Sequence, residues 1–536
     1  MLFLRSLAGL LSALASLLIA GMALAVDLPV LVANLTTGSF GDRETAVGAL
    51  AASGDARAAP ILDALAAGQL YVRKSDNTVV IGKPDGNQLA LTEAISGKPA
   101  GSGSEAELDR VRVNNRLRGV IEAAVGSLTL MSPDARVRRE AADALFKRRD
   151  ASSLAALDQA LAVEKDPRIK RIMSEARAAS VLASDAPPAQ RLEAIALVRE
   201  RGDRDALGVL QATASSSDGE VKAAATAGAE AVRQTLAAWE AAQNVWYGIS
   251  LGSVLLLAAI GLAITFGTMG VINMAHGEMV MLGAYTTFVV QEVIRTSAPH
   301  LFDASLVIAL PLAFLVSGGI GILIERGIIR FLYGRPLDTL LATWGLSLVL
   351  QQAVRSIFGP SNREVGAPSW MSGAFQVGQL NITYGRLWIV VFALVVFFAL
   401  ILLLRRTPLG LYMRAVTQNR PMAAAMGIRT PRVDALTFGL GSGIAGLAGV
   451  ALSQIDNVSP NLGQGYIIDS FMVVVFGGVG NLFGTLVGAT ALGIVNKFLE
   501  PYAGAVLGKI LVLVFIILFI QRRPRGLFAL KGRAVE

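Results

Sequence analysis

The sequence predicts an all-α protein in two parts: a polytopic membrane helical bundle of about 8–9 spans, preceded by a soluble α-helical domain carrying a small β-hairpin insertion. Three observations carry that expectation. The 536 residues are 53% hydrophobic and 16% charged, with a mean hydropathy of +0.56, too apolar for a soluble chain and too charged for one that is membrane throughout. Between Val26 and Ala242 no apolar run reaches the roughly 20 residues that a spanning helix needs. After Ala242 such runs follow one another almost without pause.

The first 25 residues, MLFLRSLAGLLSALASLLIAGMALA, have the layout of a secretory signal peptide. Arg5 supplies the positive start, Leu7 to Ala20 the apolar stretch, and Ala23-Leu24-Ala25 a small-x-small cleavage site. An uncleaved first span is the alternative, and either reading puts residues 26–242 on the far side of the membrane. In that periplasmic domain, DARVRREAADALFKRRDASSLAALDQAL (134–161) reads as two amphipathic helices. Val137, Ala141 and Leu145 mark one apolar face and Leu154, Leu157 and Leu161 the next. Similar units at 42–68, 166–182 and 191–213, opened by Asp or Pro, are similar to irregular HEAT-type repeats. Separate amphipathic helices in a non-repeat bundle would give the same pattern. The stretch LYVRKSDNTVVIGKPDGNQLALTEAI (70–95) breaks it, with β-prone runs around Ser-Asp-Asn and Pro-Asp-Gly-Asn turns, and predicts a β-hairpin or small meander. KPAGSGSEAE (98–107) then reads as a flexible loop.

From residue 243 the apolar runs centre on 247–268, 275–294, 304–325, 338–358, 386–404, 433–455, 467–480, 482–499 and 504–520. If the chain enters the first run from the periplasm, an odd number of crossings leaves the C-terminus in the cytoplasm. The basic residues agree by an independent route. Arg326, Arg330 and Arg335 follow the third run, Arg405, Arg406, Arg414 and Arg420 the fifth, and Arg522, Arg523, Arg525, Lys531 and Arg533 the ninth. All three clusters fall on the cytoplasmic side, so the net charge of +8 belongs to membrane orientation and no nucleic-acid partner is expected.

Composition narrows the function. There is no cysteine, which removes disulfides and thiolate metal sites, and two histidines, His276 and His300, do not furnish a histidine-rich metal centre. A mere anchor for the helical domain would need one span. An ATP-independent channel or secondary carrier stays open, although ion-coupled carriers use intramembrane acids. Here the candidates are His276, Glu278, Glu325, Asp434, Asp469, Lys497 and Glu500, and most fall near the ends of runs, where capping or snorkelling is the ordinary role. A phosphate-cradling G-x-x-x-x-G-K-[ST] loop is absent; the nearest string, Gly504 to Ile510, lacks one spacer residue and the hydroxyl. The chain is therefore expected to be a transport subunit rather than an enzyme, holding no cofactor of its own.

Four stretches then resemble one family. GLAITFGTMGVINMAHGEMVMLGAY (261–285), RAVTQNRPMAAAMGI (414–428), FGGVGNLFGTLVGA (476–489) and RRPRGLF (522–528) are similar, in this order, to the permeases of branched-chain amino-acid ABC importers. The signal peptide and helical extension ahead of the same membrane core resemble that family's urea-importer branch. The resemblance implies a second homologous permease subunit, two cytoplasmic ATPase subunits that use ATP and Mg, and a periplasmic substrate-binding protein. It implies alternating access in the inner membrane for urea or short amides, with branched-chain amino acids as the alternative solute.

Three groups of residues become candidates. Thr407, Pro408, Arg414, Ala415, Asn419, Arg420 and Gly427 belong to a basic loop with two short helices, in which Thr407-Pro408 is a helix start and Leu411, Ala415 and Gln418 share a face. A bare orientation signal needs no paired helices, so the loop is the candidate contact for a separate ATPase. Asn273, His276 and Glu278 near the start of the second run, and Gln454 and Asn457 after the sixth, are candidates for a gate or translocation path. Helix-end bonding and a solvated loop are their ordinary alternatives. Gly477, Gly478 and Gly480 are candidates for a break that exposes backbone to a cavity. Gly439, Gly443, Gly484 and Gly488, spaced by four, let helix backbones approach closely.

Overall fold

The computed structural model describes residues 28–528 except positions 54, 56, 86 and 87. The signal-peptide stretch, Lys531 and Arg533 lie outside the described residues. Two compact units divide at Leu236/Ala237.

The first unit opens with α1 (Leu28–Asn34), α2 (Phe40–Ala52) and α3 (Ala58–Ala66). Their apolar faces meet α4 (Asn115–Leu130) in a core built on Val32, Leu50, Ile61, Leu65, Leu117 and Ile121. Between α3 and α4 stands a sheet larger than a hairpin. Strands β1 (Leu70–Arg73), β2 (Val79–Asp85), β3 (Gln88–Glu93), β4 (Pro99–Gly103) and β5 (Leu108–Arg110) form one antiparallel sheet in the order β4-β3-β2-β1-β5. The segment expected to be a flexible loop supplies β4, which pairs Leu89 with Gly103 and Ala90 with Ser102. Pro-Ala-Gly-Ser-Gly carries no β-branched or aromatic residue, so side-chain propensity could not announce it. As an edge strand it needs only backbone pairing on one side, and its proline stands at the first position, where no ladder bond is lost.

Five helices follow: α5 (Ala135–Arg148), α6 (Leu154–Val163), α7 (Pro167–Leu182), α8 (Pro188–Arg201) and α9 (Arg204–Ser216). Asp134, Asp166 and Asp203 cap α5, α7 and α9 by accepting from the first free backbone N–H groups. Phe146, Leu157, Met173, Ala176, Val198 and Leu210 fill the shared core. Arg201 clamps it, bonding Asp143 at 2.7 Å, Glu175 at 3.2 Å and Asp203 at 2.6 Å while its guanidinium lies 4.1 Å from the Phe146 ring centre.

Helix α10 (Gly219–Met269) carries the unit boundary, and the rest of the second unit is a bundle. It comprises α11 (His276–Ser297), α12 (Ser305–Gly327), α13 (Pro336–Phe358), the hairpin β6 (Ala374–Val377) and β7 (Leu380–Thr383), and α14 (Tyr384–Arg406). Then come the short α15 (Pro408–Gln418) and α16 (Arg420–Ala425), followed by α17 (Thr430–Leu452), α18 (Leu462–Gly477) and α19 (Leu482–Arg522). Among the described residues five helical stretches are long and apolar enough to cross a membrane: those holding α10, α12, α14, α17 and α19. Val307, Leu315 and Leu323 on α12, and Val395, Phe398 and Leu402 on α14, face outward, as lipid-facing side chains do and those of a soluble bundle do not.

Successive helices alternate between two ends. At one end Asn481 donates to the Phe528 carbonyl at 3.3 Å and Arg420 stacks on Tyr333. At the other, Arg355 donates to Asn461 at 3.1 Å, and Arg363 and Val458 exchange backbone bonds of 2.8 and 2.9 Å. The last helix doubles back. Gly504 leaves helical geometry (φ 75°), and a Cβ on Gly508 would stand 3.5 Å from Leu499 Cβ. A straight helix would separate those positions by about 13 Å. The second arm of α19 therefore returns to the end where the first began, and Leu527 N–H reaches Phe476 O at 2.9 Å.

Glycines set the helix crossings. A Cβ on Gly283 of α11 would strike the Gly446 carbonyl of α17, and one on Gly449 would strike the Val280 carbonyl. Gly261 of α10 and Gly441 of α17 block each other in the same way. Gly283→Val is expected to force α11 off α17, costing upwards of the roughly 1–3 kcal/mol typical of overpacking, because backbone rather than a pliant side chain is in the way. Thermal unfolding in detergent checks this: the midpoint should fall well below wild type, whereas Gly345→Val, with nothing within 4 Å, should leave it within a degree or two.

Candidate functional site

The arginine-rich loop is a built object. Thr407 caps α15, accepting from Gly410 N–H at 3.4 Å and donating to Leu403 O at 2.7 Å, and Pro408 occupies the first turn. Gly410 presses on the end of α14: a Cβ there would collide with the Leu404 carbonyl. Arg414 Nη1 donates to that carbonyl at 2.6 Å. Asn419 accepts from Met422 N–H at 2.9 Å and caps α16, and Ala415 O receives the Asn419 N–H at 3.0 Å. Gly427 ends the turn at φ +88°, a conformation that other residues rarely adopt. Met413 and Val416 face the bundle with Ala415 packed beside them, so of the expected face of Leu411, Ala415 and Gln418 only Leu411 and Gln418 are exposed.

The same loop is tied to the long helices. Arg420 forms an ion pair with Asp434, whose side chain is wholly buried at the start of α17, and lies 4.7 Å over the Tyr333 ring. The Tyr333 hydroxyl donates to Glu325 Oε1 at the end of α12, 2.9 Å away. Arg420 is thus an internal tie, and the exposed groups are others: Leu411 (58% exposed), Met422 (59%) and Met426 (77%). Beside them Tyr412, Met426, Arg429, Arg432 and Leu436 line a groove of about 430 Å³. An apolar floor with an arginine rim fits an acidic, amphipathic protein segment.

A second cluster stands at the start of α11. Asn273 is buried and accepts from Ala275 N–H at 3.0 Å. His276 is buried, with Nε2 2.9 Å from the Ala258 carbonyl. Glu278 is buried against α13, where Ser347 Oγ and Gln351 Nε2 each donate to its Oε1 at 2.7 Å. The two donors are four residues apart on one face of α13 and had no signal except that spacing inside an apolar run.

The remaining candidates do not join that cluster. Gln454 borders an apolar hollow of about 130 Å³ at the opposite end, between Leu306, Trp370, Met371 and Trp388, and Asn457 is exposed in the loop beyond it. Gly477, Gly478 and Gly480 interrupt no helix. Gly477 ends α18, and Gly478 (φ 107°) and Gly480 (φ 79°) make the turn into α19, because their positive φ angles stop a helix cleanly. Gly439 and Gly443 lie against Ile322 and Phe314 of α12, Gly484 lies against the Gly477 carbonyl, and a Cβ on Gly488 would stand 3.0 Å from Val473 O.

One acid weighed in the sequence reading stands mid-helix rather than at the end of a run. Asp469, halfway along α18, is buried and pairs with Lys509 of the returning arm of α19 at 2.9 Å. Glu278, Glu325 and Asp434 do lie near helix ends, but they are buried and bonded rather than snorkelling outward. Their partners come from other elements, which is why a linear sequence did not disclose them.

Residues 244–520 match the family described as the branched-chain amino acid transport system permease component. The chain belongs to this permease family. It is 30% identical over 292 residues to the high-affinity branched-chain amino acid transport system permease protein BraD of Pseudomonas aeruginosa, covering 53% of this chain and 94% of that protein. The corresponding Escherichia coli protein LivH is 30% identical over 294 residues, with the same coverage. The ribose import permease protein RbsC of Escherichia coli is 25% identical over 264 residues, covering 48% of this chain and 78% of that protein. No solved structure matches. The family match starts at residue 244, so this permease carries its whole first unit outside it.

In the permease, Arg420 and Asp434 should behave as a couple. Arg420→Ala leaves a buried carboxylate unpaired, which costs toward the lower end of roughly 3–5 kcal/mol because the arginine is itself 38% exposed. Adding Asp434→Ala should recover most of that loss. Unfolding midpoints of the two single variants and the double variant in detergent test the coupling; simple additivity would disprove it.

Proposed function

We propose that this permease forms the membrane path of an ATP-driven importer and that urea, or a short amide, is its solute. Two separate cytoplasmic ATPase subunits consume ATP and Mg and grip the α15–α16 loop, a second homologous permease completes the path, and a periplasmic binding protein delivers the solute near Gln454 and Asn457. The observation that carries the reading is the loop. It is stiffened from within by Thr407, Gly410, Arg414 and Asn419, yet it offers a bare apolar-and-arginine face to a partner, in a chain whose sequence holds no nucleotide-cradling loop. The loop end is then cytoplasmic and the first unit periplasmic.

Support for urea comes from architecture: a large first unit outside the family match. Branched-chain amino acids are the second reading, favoured by the names of the relatives and by the Asp469–Lys509 pair, since a zwitterion suits a fixed pair of opposite charges.

Uptake of labelled urea and of labelled leucine by cells lacking and regaining the gene decides between the solutes. Urea uptake should return with the gene; restored leucine uptake alone would replace urea with the second reading. In the same assay Leu411→Asp with Met426→Asp, both exposed, should reduce uptake at least about tenfold at unchanged membrane abundance. Wild-type uptake would remove the loop's role as the ATPase grip. Arg414 and Gly427 are poorer choices, because their substitution also breaks the loop's own architecture.

A further inference from the structure

Helix α13 turns a polar face inward. Thr339, Thr343, Ser347 and Gln351 are buried and spaced by four, so they form one row along the helix, while Leu337, Leu341, Trp344, Val349 and Ile357 look outward. From Thr339 to Gln351 the row is about 18 Å long, more than half of a roughly 30 Å hydrocarbon core. In a membrane such a row belongs to a protein interior or a water-filled path. Its counterpart is the start of α11: Thr343 Oγ1 accepts from Met274 N–H at 3.1 Å, and Ser347 and Gln351 donate to Glu278.

An independent observation points to a ligand. Glu278 is 1% exposed, and only its Oε1 is bonded; Oε2 is buried without a partner. A staple between α11 and α13 needs one acceptor, which a glutamine would supply without burying a charge. A carboxylate with a free oxygen in a polar seam calls for further donors.

We propose that Glu278 recognises the solute and that the polar row of α13 is one wall of its path. This rests on the importer reading above and adds to it the group that is read. That group is an N–H donor, supplied either by the amide N–H groups of urea or by the ammonium of an amino acid. The mobile wall is α13. Helices α11, α12 and α17 are locked by glycine-to-backbone contacts at Gly283, Gly318 and Gly449, whereas α13 meets α11 through side chains only: ring and apolar contacts of Val354 and Phe358 with Met281, Tyr285 and Phe288 at one end, and at Glu278 hydrogen bonds that solute N–H groups can replace. As α13 moves off, Ser347 and Gln351 release Oε1 and the solute takes both carboxylate oxygens.

The test compares two variants in cells, per assembled copy quantified in membranes, with labelled urea and labelled leucine. Glu278→Gln keeps an acceptor for Ser347 and Gln351 but loses the charge and donates where the solute must donate. Gln351→Met weakens the staple and leaves the carboxylate. Recognition predicts that Glu278→Gln lowers uptake at least about tenfold, and further than Gln351→Met, which removes one polar group of the wall but keeps the carboxylate. A purely structural staple predicts the reverse order, and that order would overturn the proposal. If Glu278→Gln fails to accumulate, Glu278→Asp replaces it: uptake recovered above the Gln variant supports recognition, and loss of assembled protein in both, together with Gln351→Met, overturns it. The labelled solute whose uptake falls identifies the N–H source. Restoration of leucine but not urea uptake by the wild-type gene rejects the urea reading and leaves the order of the variants decisive. Gene-independent uptake of both solutes rejects the importer reading and this inference with it.

Discussion

Backbone-to-backbone contact at glycines is the constraint on which the rest of the bundle depends. In lipid the hydrophobic effect no longer draws helices together, so cohesion comes from close packing and from polar bonds. At Gly261/Gly441, Gly283/Gly446 and Gly277/Gly463 there is no room even for a methyl group, and carbonyls stand where side chains would be. These contacts fix α10, α11, α17 and α18 against one another as a rigid frame. Helix α13 has no such crossing: Gly345, the glycine in its middle, meets nothing within 4 Å. One bundle thus holds two kinds of helix contact, one stiff and one exchangeable.

Buried charge is handled by the same economy of contacts. Glu278, Glu325, Asp434 and Asp469 each find a partner on a different element: α13, the Tyr333 turn, α16 and the returning arm of α19. In surroundings of low dielectric an unpaired carboxylate is costly, so each acid specifies which element must lie beside it. The Asp469–Lys509 bond, with Val512 and Ile516 buried in the core and Phe519 packed on Phe476, holds the second arm of α19 along α18. Satisfaction is incomplete at three of them, since Glu278, Glu325 and Asp434 each keep one carboxylate oxygen without a partner, and Glu278 is the one bonded to the polar row of α13.

What the sequence disclosed was local. Thr407-Pro408 and Asn419 announced helix starts because a cap acts on the next three residues, and the caps stand where those residues placed them. The hydrophobic runs announced helices for the same reason. Hidden features depend on partners far along the chain. Strand β4 has no propensity of its own and forms only because β3 offers an edge. Asp469 looked isolated because Lys509 is reached only after a chain reversal. The inward face of α15 was invisible, since Leu411 is as apolar as Met413 and only contact with α14 tells them apart. The four-residue spacing of Thr339, Thr343, Ser347 and Gln351 was legible in principle, but hydropathy averages over it.

The loop between α14 and α17 shows how local and distant constraints combine. Capping alone would give two short helices swinging on flexible joints. Gly410 and Arg414 remove the first joint by pinning α15 to the Leu404 carbonyl, and Arg420 removes the second by pairing with Asp434. Tyr333 then extends the tie to Glu325 at the end of α12. The exposed Leu411–Met426 face is therefore tied to the ends of α14, α17 and α12 at once, and glycine contacts join α17 to α11, on which Glu278 sits.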